Sequence, residues 1–407
     1  MVRVYGWLAG LLLAASVAVA AEPALPWGST PSATAAYARA KAITALGRQL
    51  FFDRALSASG QMSCATCHDP AHGFTPANDL SVQLGGPDLR QPGFRAVPSL
   101  KYDQTLPAFT EHYFDSEDGG DGSVDQGPTG GRDWDGRVDR ARDQTLQPLL
   151  NSFEMANAGP AAVVAAVAKS AYADEFRRVY GQDVFDDPSR AFAAVTEALE
   201  FFQQIPTIFD PFTSKYDAFL AGRVRLSEAE GRGLALFNDP AKGNCAECHP
   251  STVTASGEPP LFTDFGYEAL GLPRNRAIPA NADPDYFDMG MCGPERHDLA
   301  KKTQYCGMFK TPTLRNVALK KSFFHNGIAH SLRDAVAFYA ERDADPGKWY
   351  PVGPDGKVRK FDDLPAAYAG NVSMKAPFGP KLALSEADVG DIVAFMQTLT
   401  DGYRPQN

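Results

Sequence analysis

Apolar residues recur at helical spacing in several separate stretches of the chain, and no run of alternating strands stands out. Two stretches look like copies of one unit. Gly47-Arg48-Gln49-Leu50-Phe51-Phe52-Asp53 and Gly231-Arg232-Gly233-Leu234-Ala235-Leu236-Phe237 each lead through a loop into a Cys-x-x-Cys-His sequence. Ser227-Glu228-Ala229-Glu230 reads as a capping-box start for the second. Alanine-rich periodicity predicts helices over Ala161 to Tyr180 and Arg190 to Gln204. Two further capped helices are predicted. One spans Ser331 to Ala340, with Leu332, Ala335, Val336 and Tyr339 on one stripe, and the other spans Ser385 to Leu399. The chain should be mainly α with long loops, and a duplicated domain explains the repeat. Prolines interrupt the helical pattern between Ile205 and Pro211, which divides the expected domains into residues 22–205 and 206–407.

A length of 407 residues accommodates two domains. At the start, Arg3 precedes an apolar run from Leu8 to Ala20, and Ala18-Val19-Ala20 fits a cleavage site. Residues 1–21 are therefore expected to be a signal peptide, with a periplasmic mature protein. The competing reading is an uncleaved anchor, for which the run is short. No later segment is apolar enough to span a bilayer. A net charge of -10 counts against nucleic acid as a partner. Of six cysteines, four lie in the two Cys-x-x-Cys-His sequences. Cys292 and Cys306 remain, and an exported protein meets conditions in which they can pair as a structural disulfide; a redox role is the alternative. Asp115 to Gly131 is rich in Gly and Asp but misses the EF-hand spacing, so it reads as a surface loop.

Cys64-Ala65-Thr66-Cys67-His68 and Cys245-Ala246-Glu247-Cys248-His249 carry the attachment signature of c-type haem. One short turn presents two thiols to the vinyl-derived carbons and an imidazole to the iron. His68 and His249 are the expected proximal ligands. A zinc site or a thiol redox pair is the competing reading. The fold expected is thus two cytochrome c-like domains, each holding one covalent haem. The far side of each haem decides whether it binds peroxide or only passes electrons.

Further motifs carry a resemblance. Leu46 to Asp53 followed by Ser63 to His68, Trp134-Asp135-Gly136-Arg137, Gln144, Pro148, Asn151 to Met155, Phe309 to Asn316 and Phe324 to Gly327 together resemble the bacterial di-haem cytochrome c peroxidase and MauG superfamily. The match covers nearly all of the chain beyond the first segment. It implies that Trp134 lies between the haems as an electron relay, and that Glu154 lies over the peroxidatic haem as a proton carrier. It also implies that Gln144 and Pro148 line the same pocket. Family peroxidases bring a distal His to the first haem, but Asp79 to Gly86 contains none. This departure implies an open first haem, a MauG-like trait. His72 and His112 are nearby alternatives, each read more simply as surface or structural. At the second haem, Tyr339 aligns with the sixth ligand, where peroxidases place Met; Met308 is its rival. Ala96 stands where the family often has a calcium-binding Asn, which counts against calcium, although carbonyls and water remain able to bind it. Phe338 to Asp343 and Asp345 to Tyr350 resemble a subgroup that includes MbnH, associated with oxidising a tryptophan on a copper-binding partner.

The leading expectation is a MauG-like oxidase that uses hydrogen peroxide to oxidise a residue on a partner protein. The second is a cytochrome c peroxidase fed by a small redox protein. The third is a non-catalytic di-haem carrier.

Overall fold

The computed structural model describes residues 32–115 and 122–405. The proposed signal segment and residues 116–121 of the Gly/Asp-rich loop lie outside them. The described chain is mainly helical, with two short antiparallel strand pairs, Leu84–Gly85 with Gln91–Pro92 and Tyr267–Glu268 with Phe309–Lys310. No described helix is long and apolar enough to cross a membrane.

Two large hydrophobic cores form, one from residues between Ile43 and Phe209, the other from residues between Tyr216 and Leu399. Each is centred on a helix pair. In the first, the Ala33–Phe52 helix starts at Ser32, whose hydroxyl accepts from the Ala35 amide, and packs on the Pro188–Gln203 helix. Ile43, Leu46, Leu50 and Phe51 form its buried stripe. In the second, the Glu228–Asn238 helix packs on Glu386–Gln397. The capping box at Ser227 and Glu230 forms as expected.

The two pairs match closely, in a register two residues away from the expected one. Gly47 and Gly231 do not correspond. A Cβ on Gly47 would lie 1.8 Å from the Ala198 carbonyl oxygen, and one on Gly233 would lie 1.9 Å from that of Asp391. Each glycine marks the closest approach of its helix pair. Four residues on, Phe51 contacts Phe202 at 5.1 Å, and Phe237 contacts Phe395 at 5.2 Å. Asp53 and Asp239 then cap the two helices. The Gly-Arg pair common to both stretches misaligned them, whereas packing aligns Gly47 to Asp53 with Gly233 to Asp239.

The expected helix over Ala161 to Tyr180 is two helices, Pro160–Ala168 and Ala173–Tyr180. The Ser170 amide and hydroxyl both bond the Val167 carbonyl, which closes a turn in place of a continuing helix. The other three predicted helices form as Pro188–Gln203, Leu332–Glu341 and Glu386–Gln397. Cys292 and Cys306 are joined in a disulfide.

Charged side chains tie the halves together. Arg95 pairs with Asp135 at 2.7 Å and with Asp288 at 2.6 Å, all three shielded from solvent. Asp401 accepts from Lys101, Tyr102 and Asn316 at 2.7 to 3.0 Å. Such a network removes unpaired charge from the junction and fixes its geometry.

Candidate functional site

The two Cys-x-x-Cys-His turns are built alike. Cys64–Cys67 is a single helical turn and Cys245–Glu247 a 3-10 turn. His68 Nδ1 lies 3.0 Å from the Phe74 carbonyl oxygen, and His249 Nδ1 lies 2.7 Å from that of Phe262. A carbonyl bond at Nδ1 sets the tautomer that leaves Nε2 as the ligating atom. Phe74 and Phe262 both have φ of 56°, and both rings join the helix-pair aromatics, Phe74 meeting Phe51 at 5.9 Å and Phe262 meeting Phe237 at 6.1 Å.

Burial holds both imidazoles neutral, pushed down to about 4, which suits metal ligation. Burial pushes all four thiols up to about 12, and none is in a disulfide. Among the described residues, no cluster of three or more His, Cys, Asp or Glu is arranged to hold a bare metal ion. A largely apolar cavity opens on Cys245, Cys248 and His249. These features fit a haem bonded through both sulfurs and one imidazole.

Tyr339 lies on the wall of that cavity, on the Leu332–Glu341 helix. Its ring stacks on Phe378 at 5.4 Å, and burial pushes its phenol up. Met308 packs instead with the Tyr267, Met291, Leu299 and Tyr305 cluster.

On the N-terminal side, the Ala141–Leu150 helix carries Gln144 and Pro148 one turn apart. Proline has no amide to give the Gln144 carbonyl. Gln144 Nε2 donates to Asp133 at 3.1 Å. The helix ends in a turn where Asn151 Nδ2 donates to Glu154 Oε2 at 2.5 Å. Burial raises Glu154 to about 7, against the pull of Asn151. Glu154 lies near enough to Cys64 and Cys67 for its charge to add to the upward push that burial gives both thiols. The His-free segment closes onto this turn, because the Gly86 amide donates to the Glu154 carbonyl at 2.8 Å. The same segment reaches the C-terminal half, where Ser81 Oγ donates to the Gly327 carbonyl at 3.0 Å. His72 pairs with Asp69 and His112 with Asp125, both away from Glu154's bonds.

Trp134 is buried on the wall of the same cavity as Tyr339. Its Nε1 donates to the Ala96 carbonyl at 2.7 Å, and its own carbonyl accepts from the Lys310 amide at 2.8 Å. The carbonyl at the position considered for calcium thus serves the indole. Asp133, absent from the sequence reading, links the regions: it accepts from Gln144 and Gln147, pairs with Arg137 and precedes Trp134 with φ of 63°. Only its place beside the Trp-Asp-Gly-Arg motif hinted at this.

Two like-built Cys-x-x-Cys-His turns, one with a carboxylic acid near its thiols and the other sharing a cavity with a tyrosine and an indole, fit a two-haem redox protein. The model of the family described as di-haem cytochrome c peroxidase matches residues 41–225. The methylamine utilization protein MauG of Paracoccus denitrificans is 36% identical, over 89% of this chain and 90% of its own. The crystal structure of the diheme peroxidase BthA from Burkholderia thailandensis E264 is 41% identical with a TM-score of 0.77, covering 91% of this chain and 87% of its own. The structure of a MauG-like protein associated with microbial copper homeostasis is 25% identical with a TM-score of 0.62, covering 89% and 90%. The chain belongs to the di-haem cytochrome c peroxidase and MauG superfamily, which makes it a haem-dependent oxidoreductase with two haem cofactors.

Proposed function

We propose that the protein is a periplasmic MauG-like oxidase that uses hydrogen peroxide to oxidise a residue, a tryptophan by preference, on a partner protein. The observation that carries this reading is the pairing of a His-free, Glu154-bearing first site with Tyr339 at the second. Two haems c, bonded through Cys64 and Cys67 and through Cys245 and Cys248, supply peroxide binding and electron storage, with His68, His249 and Tyr339 as iron ligands.

Where the haems would supply the two electrons that cleave the O–O bond, Glu154 would take a proton from hydrogen peroxide and return it to the oxygen that leaves as water. Asn151 orients the carboxylate for both transfers. Gln144, held by Asp133, and Pro148 shape the pocket around the peroxide. Trp134 spans the gap between the sites, and its bond to the Ala96 carbonyl fixes the ring. A partner residue then gives up electrons without entering either pocket. The copper-homeostasis neighbour and the motifs around Tyr339 and Trp349 favour a copper-binding protein as that partner.

A second reading is a peroxidase fed by a small redox protein. It is favoured by the 41% identity to a protein described as a diheme peroxidase. A non-catalytic carrier is set aside, because the relatives are enzymes.

Electron paramagnetic resonance of the resting ferric protein tests the proposal. The expected result is one high-spin and one low-spin haem, and stoichiometric peroxide then yields a long-lived oxidised state. Two low-spin haems without a peroxide response would defeat both enzyme readings. Turnover with a reduced cytochrome but no mass change on any partner would favour the second.

A further inference from the structure

Aromatic contacts continue from Tyr339 away from the cavity. Tyr339 and Phe338 are neighbours on one helix, with ring centroids 6.0 Å apart. Phe338 is fully buried and meets Trp349 edge-on at 5.3 Å. Trp349 is half-buried, and the two residues before it, Gly347 and Lys348, are exposed. The described residues contain two tryptophans. Trp134 lies on the cavity wall, and Trp349 lies behind Phe338, outside it.

The surroundings of Trp349 are unusual for a packing residue. Its Nε1 is buried without a hydrogen-bond partner, a costly arrangement that a core indole normally avoids. Lys348 Nζ lies 5.5 Å from the ring centroid, but Glu341 holds that ammonium at 2.6 Å. The ring therefore sits beside a neutralised pair, which opposes positive charge on it far less than a bare cation would. With no acceptor at Nε1, an indole that loses an electron keeps its proton and is restored by one electron.

We propose that Trp349 is the outward electron donor of the second site: it reduces the peroxide-oxidised enzyme by way of Phe338 and Tyr339, and a docked protein refills it. This rests on the peroxide-driven reading above. With a partner, each electron that leaves Trp349 is replaced by one from the partner residue. Without a partner, two electrons leave in succession, one water oxygen adds to the ring and two protons are released. Those two electrons and two protons convert one hydrogen peroxide to two waters.

The test uses the full two-haem protein with no partner, treated with a few equivalents of hydrogen peroxide and mapped by peptide mass spectrometry. The expected result is one oxygen atom added to the peptide bearing Trp349. Trp349→Phe should remove that addition and lengthen the life of the oxidised state. Trp349→Tyr, which keeps an oxidisable ring, should restore the faster decay. In both variants the resting low-spin signal and the reaction with the first equivalent should be unchanged. If the oxidised state forms while Trp349 stays unmodified and Trp349→Phe decays like the parent, the inference fails and the functional reading stands. A protein inert to peroxide overturns both.

Discussion

The two halves share a frame and differ in what faces it. Gly47, Phe51, Phe74 and Phe202 do in the first half what Gly233, Phe237, Phe262 and Phe395 do in the second. Each set packs a helix pair and aims a backbone carbonyl at the Nδ1 of its histidine. The opposite walls have nothing in common. One is a polar turn centred on Glu154, fed by Asn151, Gln144 and Asp133. The other is an aromatic wall of Tyr339, Phe378 and Phe324. The repeat thus supplies two alike Cys-x-x-Cys-His frames, and the two sites differ through segments outside it.

The sharpest way to break this comparison is at Glu154. Glu154→Gln should slow the reaction with peroxide by roughly 10²–10⁴-fold in stopped-flow absorbance while the low-spin signal stays as it was. In the parent protein that rate should rise with pH through about 7, as the buried carboxyl ionises and becomes able to accept the peroxide proton. The variant should lack this dependence, and an identical profile in the variant would remove Glu154 from the role. The same shift has a stability consequence. A carboxyl raised above its unfolded value favours the folded state below that value, and the contribution is lost as pH climbs through about 7.

Next in size is Tyr339→Phe. It should change the low-spin signal and shorten the oxidised state, with the high-spin signal preserved. Met308→Leu is its counterpart and should leave both signals alone. A response to Met308→Leu and none to Tyr339→Phe would reverse the assignment. Smaller still, Gly47→Ala and Gly233→Ala should each destabilise the protein by about 1–3 kcal/mol through overpacking, read from denaturant unfolding. Equal losses would support equivalent frames; a loss at one alone would show that the halves carry unequal strain.

Much of the candidate site was legible because the side chains proposed for haem attachment and proton handling stand close together in the sequence. The Cys-x-x-Cys-His turns and the Asn151 to Met155 turn are of that kind. What stayed hidden depends on backbone contacts across long separations. The true register of the repeat rests on Gly47 and Gly233 meeting partner-helix carbonyls, which no local pattern encodes. Asp133 gains its bridging position from a left-handed backbone that its identity does not announce. The break at Ser170 turns on one hydroxyl competing for one carbonyl, inside a sequence whose composition favours an unbroken helix.

The segment from Asp79 to Gly86 has a consequence in time as well as in space. It is pinned at one end to the Glu154 turn and at the other to Gly327, which has φ of 61° and where a Cβ would lie 2.4 Å from the Ser81 carbonyl oxygen. A loop held at both ends has no swing to complete before the first site, in the proposed role, takes up peroxide. Progress curves begun from the fully ferric protein should therefore start at full slope, with no lag and no need for a priming electron.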